Sequence, residues 1–409
     1  MRHYTRAAVV AVVLMVGTGA AAFAELAVSS NDSKLKLVNG KTEVQKGPPA
    51  DTVTFINLRA SPPKVLAEIE VPNSIVGPPT SVAVSPKEEI ALVTSAMQID
   101  PADPTKQATD DKLTVIDLSP LKPSLVTRLR TAVGAASKGA TTTPKVLATL
   151  QAGKGASGVS INKAGTLALV ANRSEGTVSV FTISGTTVTP AGKVTVGKPD
   201  SGPSHVVFTP DGKRALVTRD NDHRVAVLTV DGSKVEATNR EIASGLRPYG
   251  IDVAPKGEVA VVGNVGISGN GDASTIGVID LKLEPPRLVN VYTVGQAPEG
   301  IKLSPDGKFV AVTVVNGSNL PPDSPFYNEA GLLQVWARNG TQLTKVGEIA
   351  VGKWCQGIAW AANSKTMLVQ CAADEEISVI RFTGTGKSLQ KVGSIKTKGG
   401  PAAIRTAEP

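Results

Sequence analysis

The chain has 409 residues, 43 Lys and Arg against 35 Asp and Glu (formal net charge +8), and an aromatic content of 3%. That length exceeds the roughly 250–300 residues that one hydrophobic core serves, so it requires several domains or a repeat array that shares its core among modules. So few aromatics provide no stacking platform for nucleic acid, and none is expected as a partner.

The chain opens with a basic start (Arg2, His3, Arg6), an apolar run from Ala7 to Val16, and small residues leading to Ala22-Phe23-Ala24. This is the pattern of a cleavable export signal. The apolar run is half the ~20 residues a membrane-spanning helix needs, and no later stretch is longer, so no transmembrane segment is expected. Residues 1–24 read as a signal peptide. Residues 25–409 read as one periplasmic domain beginning near Glu25.

From Leu26 to Gly40 the sequence LAVSSNDSKLKLVNG reads as strand, turn, strand, and TVTFINL (Thr52 to Leu58) and Lys64 to Val71 as two further strands. The same unit then recurs as PTSVAVSPKEEIALVTS from Pro79, ASGVSINKAGTLALVAN from Ala156, PSHVVFTPDGKRALVTR from Pro203, PYGIDVAPKGEVAVVGN from Pro248, PEGIKLSPDGKFVAVTV from Pro298 and CQGIAWAANSKTMLVQC from Cys355. A fragment, PAAIRTA, closes the chain from Pro401. Equivalent positions are Ser81, Gly158, His205, Gly250, Gly300, Gly357 and Ala403, mostly about 45–57 residues apart, near the period of a four-stranded blade. Within a copy, Pro presets the turn and Gly supplies φ > 0, as in Ser304-Pro305-Asp306-Gly307. Third strands such as RVAVLTV (Arg224 to Val230) follow. The prediction is an all-β, seven-bladed β-propeller of four-stranded antiparallel blades. The N- and C-terminal segments close the ring, with LAVSS and PAAIRTA competing for its innermost place. Closure removes free sheet edges.

The long first interval contains an insertion, Ser119 to Pro144, without blade pattern. No Asp or Glu occurs between Leu118 and Ser174, whereas Lys122, Arg128, Arg130, Lys138, Lys145, Lys154, Lys163 and Arg173 do. That stretch reads as a solvated basic loop, or as a surface attracting anionic polymers. Three strand two-to-three loops are long: Ser95 to Lys112, Asn264 to Ser274 and Asn316 to Gly331, the last carrying Pro321-Pro322-Asp323-Ser324-Pro325-Phe326-Tyr327. Loops of this kind on one face suggest a binding rim. Cys355 and Cys371 begin strand one and end strand two of one copy, so folding about its turn sets them opposite, and a disulfide is predicted.

The SPDGK, LVAN and VSVFTI segments resemble the YVTN-repeat and lactonase-like family of seven-bladed propellers, over nearly all the mature chain. The resemblance implies the fold. It leaves the activity open, since such propellers include lactonases, cyclising enzymes, electron-transfer subunits and binding proteins. Lactonising relatives place His, Glu and Arg in the channel. By type and position this points to His205, Glu299 and Arg219 as catalytic candidates, with Arg247 as a substitute for the last.

His205 replaces a small residue facing the channel, so its imidazole reads as a ligand contact, a general base, or a structural group bonded to backbone. The channel-mouth face that bears it is expected to be the functional one, with His205, Arg219, Asp220, Tyr249, Asn264, Glu299, Asn316 and Trp354 as ligand-binding candidates. The opposite face carries the repeated SPDGK turns. No metal or haem pattern is legible, so neither metal nor other cofactor is expected. Three functions compete: a monomeric periplasmic propeller binding a small polar ligand or a protein partner, a lactonase-type hydrolase with its site in the central channel, and a redox-complex subunit. The last is disfavoured for want of cofactor ligands. Clustering of His205, Glu299 and Arg219 about one gap would favour the hydrolase.

Overall fold

A computed structural model describes residues 25–122, 143–267, 269–384 and 389–407. The predicted signal peptide and residues 123–142 of the predicted insertion lie outside the described residues. Ser119–Leu121 within the insertion forms a short 3-10 turn.

Seven four-stranded antiparallel sheets are arranged as blades. In chain order their innermost strands are Val82–Val84, Ala156–Ile161, Pro203–Phe208, Pro248–Val253, Pro298–Leu303, Cys355–Trp360 and Gly400–Thr406, which define blades 1 to 7. Blade 7 joins the two ends of the chain. The C-terminal Gly400–Thr406 takes the innermost place, and Leu26–Asp32 pairs beside it, with Ser29 opposite Ile404. Thr52–Asn57 and Lys64–Glu70 complete the blade.

The alternation of apolar residues explains how so long a chain finds a core. Each of the three inner strands of a blade buries apolar side chains on both faces, so the core is divided among the seven junctions between neighbouring blades. Leu169, Val178 and Val180 of blade 2 pack on Val206, Phe208 and Val217 of blade 3. Phe55 and Val28 of blade 7 pack on Val82, Val93 and Ile116 of blade 1. Outer strands face water on one side and read accordingly, as in Lys145–Gln151.

The repeated Pro and Gly of the turns interlock. A Cβ built at Gly165, Gly257 or Gly307 would sit 3.4, 3.3 or 3.2 Å from the Cδ of Pro86, Pro210 or Pro255 in the preceding blade's turn. These glycines also take φ of +70°, +75° and +70°, so conformation and space both require them.

Two expectations about the rim are corrected. The Leu26–Gly40 segment is not one blade unit. After Asp32 the chain leaves blade 7 and forms a separate hairpin, Leu35–Val38 with Lys41–Val44. The hairpin is rooted by Lys34, whose Nζ lies 2.5 Å from Asp51 and 3.2 Å from Asp32 and donates to the Asn73 carbonyl at 2.6 Å. Its tip at Gly40 meets Leu320 and Pro321 of blade 5, and Phe326 of the same loop lies against Gly271 of blade 4. Ser95 to Lys112 is likewise not a loop. Strands Ile90–Ile99 and Gln107–Asp117 stay paired past a bulge at Ser95, because their alternating polar residues can pair backbones in solvent.

Cys355 and Cys371 form the predicted disulfide, directly opposite in the ladder of blade 6. Among the described residues, no helix is long and apolar enough to cross a bilayer.

Candidate active site at the upper channel mouth

The antiparallel blade places the loop leading into strand one and the loop joining strands two and three on the same face, here called upper. On that face residues from five blades converge. Arg173 follows strand two of blade 2, Asp220 follows strand two of blade 3, and Arg247 and Trp354 precede the first strands of blades 4 and 6. Tyr249, Glu299 and Gln356 are the second residues of the first strands of blades 4, 5 and 6.

Asp220 is fully buried, and its Oδ2 accepts from Arg173 at 2.5 Å and from Arg247 at 3.4 Å. Its Oδ1 has no partner. Arg173 also donates to the Ser204 hydroxyl and lies 5.7 Å over the Tyr249 ring, within cation–π range. Burial pushes the Tyr249 phenol above its ordinary range, with Glu299 and Asp220 adding and the arginines opposing, so it stays a neutral donor.

Glu299 is the most perturbed carboxyl of the cluster. Burial pushes its pKa up to about 7, against hydrogen bonding from Gln356, the charge of Arg247 and hydrogen bonding from Trp354. Its Oε2 is buried without a hydrogen-bond partner, and so is Oε1 of Gln356. A carboxyl that changes charge near neutrality, with one oxygen unoccupied, is suited to moving a proton.

The backbone marks the same residues. The position just before strand one takes a left-handed φ in six blades: Gly155 (+71°), Gly202 (+66°), Arg247 (+56°), Ala297 (+54°), Trp354 (+51°) and Gly399 (+94°). Glycine accepts that conformation freely, whereas other residues are strained by roughly 1–2 kcal/mol. Arg247 and Trp354 accept the strain at the two positions whose side chains act on Glu299.

The remaining candidates fall elsewhere. Arg219 is not brought to Glu299. Its guanidinium donates to the Val196 carbonyl, lies 2.5 Å from Glu241 and pairs with Asp222 at 3.1 Å, toward the outer part of the blade. Arg173, one of the basic residues of the acid-free stretch from Leu118 to Ser174, stands in the cluster instead. Asn264 is buried and bonds Ser244 and Thr275, bracing the loop at Gly245. Asn316 holds its own loop through the Ala330 carbonyl at 3.0 Å.

His205 is buried and borders a small cavity that Arg405 also lines. Its Nδ1 accepts from the Ile251 N–H at 3.1 Å, which leaves the ring proton on Nε2. Burial, with the charges of Arg405 and Lys302, holds its pKa well below the usual histidine range. The His205, Glu299 and Arg219 triad of the sequence reading is therefore not assembled about one gap.

The profile of the lactonase, seven-bladed β-propeller family matches residues 185–406, more than half of the chain. The chain belongs to that family. Its fold is shared with the periplasmic gluconolactonase of Pseudomonas aeruginosa (16% identity, 94% of this chain and 99% of that one covered, TM-score 0.64). It is shared also with a proposed 6-phosphogluconolactonase of Bacteroides uniformis (19%, 94% and 99%, 0.64). A protein of unknown function from Desulfotomaculum acetoxidans is similar to the same degree (16%, 94% and 99%, 0.63). At such identities the likeness is one of fold. No curated protein matches the chain.

Proposed function

We propose that this lactonase-family propeller is an exported hydrolase that opens a small anionic lactone at the upper channel mouth, with Glu299 as its general base. One observation carries the reading: a buried carboxyl poised at about 7, with a vacant oxygen, beside Arg247 and within a cluster that also holds Arg173 and Tyr249. In the proposed reaction Glu299 takes a proton from water while the water oxygen bonds to the lactone carbonyl carbon. The carbonyl oxygen becomes an oxyanion, stabilised by guanidinium or phenol donors. The tetrahedral centre then collapses and the ring C–O bond breaks. Glu299 returns the proton to the departing alkoxide, and the product is a hydroxy acid. The two arginines favour a substrate with a second negative group.

Export is supported by the order of basic, apolar and small residues from Arg2 to Ala24 and by the disulfide, which oxidising compartments preserve. A periplasmic location follows from that reading.

A second reading is a non-catalytic receptor for a small polar ligand. It is favoured by the hold of Asp220 on both arginines, which mutes their pull on a substrate. Turnover of 6-phosphogluconolactone and gluconolactone above the spontaneous rate separates the two. The hydrolase reading expects turnover that Glu299→Gln abolishes. Saturable binding without turnover, unchanged in Glu299→Gln, supports the receptor.

A further inference from the structure

The upper mouth is chemically two-sided, with Glu299 at the boundary. Toward blades 2 to 4 stand Arg173 and Arg247, which share one carboxylate, Asp220, so that side carries a net positive charge. Toward blade 6 stands Trp354, which hydrogen-bonds Glu299 and also lines a cavity of about 280 Å³. That cavity lies between the hairpin and blades 6 and 7, and Leu35, Leu37, Ile75 and Trp354 supply its apolar surface. We propose that the ligand of this mouth is amphiphilic: a lactone whose anionic group meets Arg173 and Arg247 and whose aliphatic chain runs along Trp354 into the cavity under the hairpin. The inference rests on the upper mouth being the ligand site and adds the class of ligand to that reading.

Three observations carry the assignment. First, the two spaces are continuous through one residue. Trp354 borders both, so a lactone held at Glu299 has the cavity within reach of a short chain. The cavity is many times the roughly 10–15 Å³ that one water needs, which leaves room for several carbons. Second, its charged groups are already engaged. Glu375 pairs with Lys36 at 3.2 Å, and Asp374 accepts from the Lys353 N–H at 2.7 Å. What remains for a ligand is chiefly apolar. Third, the walls are prebuilt. The Trp354 N–H donates to the Ser318 hydroxyl at 3.0 Å, its carbonyl accepts from Ala372 at 3.0 Å, and the residue packs on the cluster of Leu35, Ile75, Ala372 and Ala402. The hairpin above is fixed at its root by Lys34 on Asp51, midway by Lys36 on blade 6, and at its tip by Leu320 and Pro321. A fixed apolar wall of this kind gains from a chain that displaces water without rearrangement.

The test uses 5-oxotetrahydrofuran-3-carboxylate and its 2-pentyl homologue, with γ-nonalactone, the pentyl lactone without a carboxylate, as the neutral control. Their Kd values are measured by calorimetry on the mature Glu299→Gln protein, so that binding is read without turnover. The pentyl carboxylate should bind at least about tenfold more tightly than either the unsubstituted carboxylate or γ-nonalactone. Leu37→Ser, which leaves the root of the hairpin intact, should reduce the pentyl preference at least about threefold. Gly-Gly in place of Leu35–Val44 should bring the two carboxylates within about threefold of each other. The flanking Lys34 and Gln45 are already joined by a backbone hydrogen bond of 2.8 Å, so a two-residue turn closes the gap. Equal affinity for the two carboxylates, equal affinity for γ-nonalactone, no binding of the pentyl carboxylate by about 1 mM, or a full pentyl preference in both hairpin variants would overturn the proposal. Turnover by the parent protein is scored apart: a pentyl preference without turnover supports the amphiphilic ligand and contradicts only the hydrolase reading.

Discussion

Replacing Glu299 by Gln should stabilise the protein increasingly as pH rises above 4.5, with the full effect above about 7. The carboxyl has a pKa of about 7 in the fold against 4.5 for an unperturbed glutamate, and the leading cause is burial. A raised carboxyl binds its proton more tightly folded than unfolded. Its stability contribution is therefore fully present below 4.5 and lost as pH rises through 7. At about 1.4 kcal/mol per unit, the loss above pH 8 is about 3 kcal/mol. Gln has the same shape and no charge to bury. Urea denaturation of both proteins at pH 4.5 and 8.5 should give similar midpoints at the lower pH. At the higher pH the variant should be favoured by about 3 kcal/mol. A pH-independent difference, or a less stable variant at pH 8.5, would refute the claim that burial perturbs this carboxyl.

Arg247→Gly should leave stability within about 0.5 kcal/mol of the parent or raise it, since glycine relieves the left-handed backbone, while weakening ligand binding or turnover; a loss of several kcal/mol would show that the guanidinium is structural. Reducing the disulfide, or replacing Cys355 and Cys371 by Ser, should cost about 3 kcal/mol, as expected for a 16-residue separation, measured as a shift in urea midpoint; an unchanged midpoint would contradict this. His205 should stay neutral well below the ordinary value of 6.5, as followed by NMR titration. Because the unfolded chain protonates it first, this residue should subtract stability as pH falls below 6.5, a slope that His205→Gln removes.

The fold was legible because its signals are local. Proline and glycine sit in turns where they interlock, the alternating strands need no partner to be recognised, and Cys355 and Cys371 lie symmetrically about their turn. The choice between Leu26–Asp32 and Gly400–Thr406 for the innermost strand was not local, since it depends on pairing across the whole chain. The site was legible in part. Glu299, Asp220, Tyr249 and Trp354 were named from their place in the repeat, and they meet at the upper mouth. Arg219 misleads because it ends strand two, as Asn172 and Asn264 do, and side chains there turn toward the preceding blade or their own outer strands. Arg173 lies one residue beyond that position and reaches the cluster, a difference that composition does not express. A usable signal was present before strand one, where Arg247 and Trp354 replace the glycine found at 155, 202 and 399.

The central claim is that the Glu299 carboxyl performs proton transfer at the upper mouth, and the pH dependence of kcat/KM for an anionic lactone tests it most directly. Subtracting the spontaneous rate, kcat/KM should rise with pH through a single ionisation near 7 and then level, because the base must be deprotonated. In Glu299→Gln the ionisation and the enzymatic rate should vanish together. Turnover in that variant with the same profile as the parent would contradict the account, as would the absence of any enzymatic rate on anionic and neutral lactones alike.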